Sequence, residues 1–122
     1  MSTPEEFNAY RARMNARILE GDSLLTKRFF NLDHQAYQPG ALNEKTKELI
    51  GLSSSMVLRC DDCVKYHIGQ AVAVGASDQE IIETLEIALI IGGSIIIPHL
   101  RRAYEYLDAV RGKASNLHQG PQ

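Results

Sequence analysis

Between Ile87 and Pro98 almost every position is apolar, with Ile87, Ile90, Ile91, Ile95, Ile96 and Ile97 in a nearly uncharged run. The run falls well short of the roughly 18 consecutive apolar residues that a membrane-spanning helix needs. A helix that is apolar on every side must instead be covered on every side. A chain of 122 residues has limited material for such a cover, so another subunit is expected to supply part of it. Within the run, Gly92-Gly93 permits a close helix approach or a break, and Pro98 either kinks the helix or opens a new one. A new start at Pro98 is the favoured reading.

The remaining sequence carries helical signals throughout, and nothing alternates with the period of two that marks a half-buried strand. Thr3-Pro4-Glu5-Glu6 supplies a cap, an N1 proline and a reciprocating glutamate for a first helix over about Pro4 to Glu20. Asp22 is the expected cap of a second helix, which carries Leu24, Leu25, Phe29, Phe30 and Leu32 and ends before Gln38-Pro39-Gly40; the Phe29/Phe30 pair reads as core. Asn43 can cap a third, on which Leu49, Ile50, Met56 and Val57 mark a buried stripe. A fourth begins near Cys60-Asp61-Asp62 and stops at Gly75. Ser77-Asp78-Gln79-Glu80 has the layout of a capping box and opens a fifth, with its stripe at Ile81, Ile82, Leu85, Ala88 and Leu89. The last runs from Pro98 through Leu100, Ala103, Tyr104, Leu107 and Val110. The expectation is an all-α fold of about six helices, one domain over residues 1–111, with a loose tail over 112–122.

A formal charge of −2, from 13 basic and 15 acidic side chains, lacks the positive excess that holds nucleic acid or an anionic membrane surface. Both partners are set aside. Glu5, Glu6 and Asn8 behind Met1 do not have the basic-then-apolar layout of a secretory signal, and the cytoplasm is the default location. Two cysteines within one four-residue window are too few for a secreted disulfide framework, and in a reducing compartment they suggest redox chemistry or metal binding.

Those cysteines lie in Cys60-Asp61-Asp62-Cys63-Val64-Lys65-Tyr66-His67. On a helix the offsets i, i+3 and i+7 fall within about 60° of one another, so two thiols and an imidazole share a face. Cys60 and Cys63 are one turn apart, within reach of a disulfide if Cys60 sits where the helix starts. His67, at i+4 from Cys63, is a base beside a thiol, and the helix N-terminus stabilises the resulting thiolate. Asp61 and Asp62 oppose that thiolate while Arg59 and Lys65 favour it, so the activation rests on His67 and the helix start. Three other readings stand beside this one: inert small cysteines, a satisfied core histidine, and a zinc site of Cys60, Cys63 and His67 completed by Glu48, Asp62 or His99. Against zinc, the chain has no second ligand pair.

Lys47-Glu48-Leu49-Ile50, then Cys60-x-x-Cys63-x-x-x-His67, Ala71, Gly75-Ala76-Ser77, Glu80-Ile81-Ile82-Glu83 and the Gly92-Gly93 segment together resemble the AhpD-like, carboxymuconolactone decarboxylase family. The resemblance spans about residues 42–110. It implies an all-helical fold, homotrimers or homohexamers, and, with both cysteines present, thiol-dependent peroxidase or disulfide-reductase activity on a hydroperoxide or disulfide substrate, reset by a thiol electron donor. By position, Cys63 looks like the cysteine that attacks peroxide, Cys60 like its resolving partner, His67 like the base and Glu48 like the acidic end of the proton relay. The chemistry requires no metal and no organic cofactor.

Glu48 precedes Cys60 by twelve residues, and unbroken helix would separate the two by about 18 Å. A place in the relay requires the chain to reverse around Val57 to Arg59, although no glycine or proline marks a turn there; otherwise Glu48 is a solvated carboxylate. Asp62 stands where the best-studied peroxidases of the family carry a histidine, which removes a proton-transfer group and adds negative charge. His99 can approach the site from another helix or serve as an interface group. Two alternatives to redox chemistry remain: decarboxylation of a carboxymuconolactone-type acid, with Arg101 and Arg102 gripping carboxylates, and a non-enzymatic helical module with structural zinc.

Overall fold

A computed structural model describes residues 3–113. These residues form six α-helices and one 3₁₀ turn, without a strand. They fall into two compact units, one extending to Glu44 and the other beginning at Lys45. Of the expected tail, residues 114–122 lie outside the described residues.

The first unit is a pair of helices, α1 (Pro4–Leu19) and α2 (Leu24–Ala36). Thr3 caps α1 in the expected reciprocal arrangement: its hydroxyl accepts from the Glu6 N–H at 3.1 Å while the Glu6 carboxylate accepts from the Thr3 N–H at 3.1 Å. The cap of α2 is Ser23, whose Oγ accepts from the Thr26 N–H at 3.4 Å, in place of the expected Asp22. The same Oγ also receives the Thr26 hydroxyl at 3.2 Å, so two donors one turn ahead select the serine. Phe29 is a second correction. It is 68% exposed, and α2 buries none of its residues in the single chain. Its apolar face of Leu24, Leu25, Phe29 and Leu32 is open.

The second unit comprises α3 (Glu44–Val57), α4 (Asp61–Ala73), α5 (Asp78–Gly92), the turn at Ser94–Ile96 and α6 (Ile97–Val110). Its core is built from Leu52 and Met56 of α3, Val64, Ile68 and Ala71 of α4, Ile81, Leu85 and Ala88 of α5, Ile96, and Ala103, Tyr106 and Leu107 of α6. Helices α4 and α6 lie side by side, and the Lys65 ammonium rests 5.9 Å from the centre of the Tyr106 ring.

The buried stripe of α3 differs from the expected one by about one position. It is Glu48, Gly51, Leu52, Ser55 and Met56, spaced i, i+3, i+4, i+7 and i+8, while Ile50 faces outward. Apolar residues alone give the wrong register here because the buried face carries a carboxylate, a hydroxyl and a glycine. The fifth helix follows expectation: Ser77 and Glu80 form the capping box, and Ile81, Leu85 and Ala88 are buried.

The apolar run beyond Ile87 is two elements rather than one. Gly93 adopts φ +80°, ψ −165°, a conformation open to glycine and strained for other residues, and α5 ends there. At Gly92 a β-carbon would fall on the side chain of the buried Ile96, so the glycine allows the chain to fold back onto α5. Both sequence readings of Gly92-Gly93 therefore hold, one for each residue. Pro98 sits in the first turn of α6, where its missing N–H costs nothing.

Candidate active site at the start of the fourth helix

The site begins where α3 ends. The Arg59 N–H donates to the Met56 carbonyl at 3.0 Å and the Cys60 N–H donates to the Ser55 carbonyl at 3.1 Å, the paired bonds that close a helix through a left-handed residue. That residue is Arg59, with φ +60°. The reversal required for Glu48 to reach the cysteines thus lies where its position predicts, and an arginine performs it in place of glycine. A non-glycine residue in this region costs about 1–2 kcal/mol, which the two carbonyl bonds offset.

Cys60 then caps α4. It is extended, with φ −98° and ψ 94°, and its sulfur accepts from the Cys63 N–H at 3.3 Å. Cys60 and Cys63 are joined by a disulfide across a Cα–Cα distance of 5.3 Å. Cys63 is exposed and Cys60 half-buried. One turn further, His67 is 7% exposed and its ring meets that of Tyr66 edge to face at 5.3 Å.

Nδ1 of His67 lies 2.8 Å from Oε1 of Glu48, itself 4% exposed. A carboxylate at that distance requires the proton on Nδ1, which makes Nε2 the proton-accepting nitrogen of the neutral ring. Glu48 therefore sets the tautomer. Of the four residues singled out from sequence, Cys60 is bonded to Cys63 and His67 is paired with Glu48 across α3 and α4. Because α4 is continuous from Asp61 to Ala73, His67 and Cys63 keep the i, i+4 relation.

The cluster that sequence reasoning did not assemble involves Asp61. His99 Nδ1 lies 2.8 Å from its Oδ1, and Arg102 Nε donates to its Oδ2 at 2.9 Å. Partial burial pushes the Asp61 carboxyl upward, but the His99 hydrogen bond and the Arg102 charge outweigh it and hold the group below its ordinary value. The partners are 38 and 41 residues away, beyond any local pattern; the only sequence signal was the placing of His99 on another helix. Arg102, offered above as a grip on substrate carboxylates, is occupied by an acid of the chain itself. Asp62 is exposed. Among the described residues, no three His, Cys, Asp or Glu side chains are gathered to hold a metal ion, and no helix is long and apolar enough to cross a membrane.

Residues 23–106 match the carboxymuconolactone decarboxylase family. The chain belongs to that family. Two crystal structures of one family protein from Thermotoga maritima, for which a part in the antioxidative response has been suggested, align with TM-scores of 0.84 and 0.86 at 54% and 52% identity. They cover 88% and 95% of this chain and 91% and 99% of theirs. The apo form of a carboxymuconolactone decarboxylase family protein from Legionella pneumophila aligns with a TM-score of 0.67 at 29% identity, over 92% of this chain and 94% of its own. Two uncharacterized proteins are also similar. One, encoded in the cox locus of Paracoccus denitrificans, is 29% identical over 69% of this chain and 76% of its length. The other, from Cupriavidus necator, is 35% identical over 62% of this chain and 66% of its own length. The fold, with its α3–α4 corner, is thus that of the carboxymuconolactone decarboxylase family.

Proposed function

We propose that this protein is a thiol-dependent peroxidase and disulfide oxidoreductase that cycles Cys60 and Cys63 between dithiol and disulfide. The observation that carries the reading is the bonded cysteine pair at the start of α4, with a histidine oriented by a buried carboxylate one turn beyond it.

In the reduced state, Nε2 of His67 takes the Cys63 proton and Glu48 stabilises the imidazolium through Nδ1–H. The Cys63 thiolate attacks a hydroperoxide oxygen: an S–O bond forms, the O–O bond breaks, and the departing alkoxide takes a proton to leave as alcohol. Cys63 is then a sulfenic acid. The Cys60 thiolate attacks Cys63 Sγ, the S–S bond forms, and hydroxide leaves and is protonated to water. A dithiol donor resets the pair by exchange through a mixed disulfide and is itself oxidised. The greater exposure of Cys63 than of the half-buried Cys60 supports Cys63 as the peroxide-attacking residue and Cys60 as its resolving partner. Such a cycle suits the reducing cytoplasm.

The open faces of Leu25, Phe29 and Leu32 on α2, and of Ile87, Ile90, Ile91 and Ile95 on α5 and the turn after it, support a homotrimer or homohexamer in which copies of the chain cover them. Gel filtration with light scattering tests this, and a dilution-resistant monomer refutes it. For the chemistry, the reduced protein is given one equivalent of hydroperoxide, its thiols are titrated, and the bridge is located by mass spectrometry. The expected result is loss of both thiols into a Cys60–Cys63 bridge, with Cys63→Ser abolishing turnover. Unchanged turnover in Cys63→Ser refutes the assignment.

A further inference from the structure

We propose that Arg102, seconded by His99, is a positioning residue for the dithiol, neutralising Asp61 so that the carboxylate beside Cys60 does not suppress thiolate formation. The inference rests on the reading of Cys60 and Cys63 as the reactive groups.

Two acids in the first turn of α4 suit the helix dipole, yet each opposes a thiolate on a neighbouring cysteine. The structure treats them differently. Asp62 is exposed, whereas both oxygens of Asp61 are engaged by α6, Oδ1 by His99 at 2.8 Å and Oδ2 by Arg102 at 2.9 Å. Asp61 directly follows Cys60 and precedes Cys63 by two residues, in the same first turn at the head of α4. Arg102 cancels the Asp61 charge at its source.

The relative magnitudes favour an electrostatic role over a structural one. Both partners of the Asp61–Arg102 pair are more than a third open to solvent, and exposed ion pairs of this kind add little to folding. A unit charge one or two residues from a thiolate is different: even in a well-screened setting, it changes the thiolate population severalfold. The groups that set the thiolate population are Asp61, Asp62, Lys65 and His67 on α4, Arg59 before it, Glu48 from α3, and His99 and Arg102 from α6. Among these, Asp61 and Arg102 form a pair of opposite charge whose members can be removed one at a time or together.

The test is a pH titration of the ultraviolet thiolate absorbance of the reduced full-length protein, without peroxide, for wild type, Arg102→Gln, Arg102→Lys, Asp61→Asn and the Asp61→Asn/Arg102→Gln double variant. Arg102→Gln leaves Asp61 uncompensated and is expected to lower the thiolate fraction at neutral pH about three- to tenfold. Asp61→Asn raises it, Arg102→Lys keeps it near wild type, and the double variant returns to within about twofold of wild type because both charges are gone. An anchoring role without electrostatic effect predicts the opposite for the double variant, which would then be at least as displaced as Arg102→Gln. That result, or an unchanged titration in Arg102→Gln, overturns the proposal. Thiolate titration requires no turnover, so a protein inactive toward hydroperoxide can still show the charge balance, and an active one can lack it.

Discussion

The Glu48–His67 contact can be tested by separating its stability from its chemistry. Glu48→Ala removes the acceptor 2.8 Å from Nδ1 at a point where both residues are buried. A buried donor that loses its acceptor costs about 1–3 kcal/mol, and the vacated methylene and carboxyl volume adds about 1 kcal/mol, for a total of about 2–4 kcal/mol. Glu48→Gln keeps both the volume and the Oε1 acceptor, and is expected to cost about 1 kcal/mol or less. With a urea m-value of about 2 kcal/mol/M, the Ala variant unfolds about 1–2 M earlier than wild type and the Gln variant within about 0.5 M of it. All three must be compared at one protein concentration, because association would add to apparent stability. The rate of thiol oxidation by hydroperoxide ranks them differently. A neutral amide cannot stabilise an imidazolium as a carboxylate does, so Glu48→Gln gives up part of the roughly 10²–10⁴-fold that a general base supplies, about tenfold. The expected pattern is Gln nearly stable but slow, and Ala both unstable and slow. A Glu48→Ala protein within about 0.5 kcal/mol of wild type would refute the buried pair, and a fast Glu48→Gln would remove Glu48 from the relay.

Two helical glycines should respond to alanine with opposite signs: Gly69 of α4 has open space around a new β-carbon and should gain about 0.5–1 kcal/mol, whereas Gly92 places that carbon on Ile96 and should lose about 1–3 kcal/mol, both read from thermal midpoints. Arg59→Gly relieves a left-handed backbone worth about 1–2 kcal/mol against a glycine entropy of about 0.5–1 kcal/mol, so calorimetry should show a stabilised protein by up to about 1.5 kcal/mol, and Arg59→Val a destabilised one. Hydrogen bonds from Lys113 and Arg111 hold Asp78 below its ordinary value of 3.8. A carboxyl depressed in this way contributes stability that is complete above its unfolded value and lost as pH falls through its folded one. Unfolding followed by circular dichroism should therefore show an acid limb below about pH 4 that flattens in Asp78→Asn; an unchanged limb would mean that Asp78 carries none of it.

Capping chemistry makes most of the helix boundaries legible in the sequence. Thr3 and Ser77 with their glutamates, Cys60 at the head of α4 and Pro98 in the first turn of α6 are local arrangements, determined by residues within one turn. Burial is less legible in the sequence, for a physical reason. On α3 the inward face includes Glu48, Gly51 and Ser55, and a search for apolar periodicity passes over the residues that bring a carboxylate to His67. Phe29 is the converse case: its side chain has the chemistry of a core residue, but a single copy of the chain leaves it exposed. The Asp61 cluster was hidden because its partners come from α6, and only the side-by-side packing of α4 and α6 brings them together.

Cys60 links these levels. Its backbone N–H closes α3, its sulfur accepts the first free N–H contact of α4 from Cys63, and the same sulfur forms the disulfide. A helix start holds partial positive charge, and an N–H bond to an ionised sulfur is stronger than one to a neutral sulfur. In the proposed cycle, an N–H at the cap would stand beside Cys60 when it attacks a sulfenic acid on Cys63. The division of labour between the sulfurs then follows from helix geometry. In the proposed cycle, Cys63, within the first turn and exposed, is the sulfur that meets the oxidant with His67 as its base, and Cys60, at the cap, has the backbone N–H beside it. A glycine at position 59 would make the α3–α4 reversal with less strain, but it would also remove a cation adjacent to Cys60. Arg59 provides the turn and, directly before Cys60, a positive charge ahead of the two acids that follow.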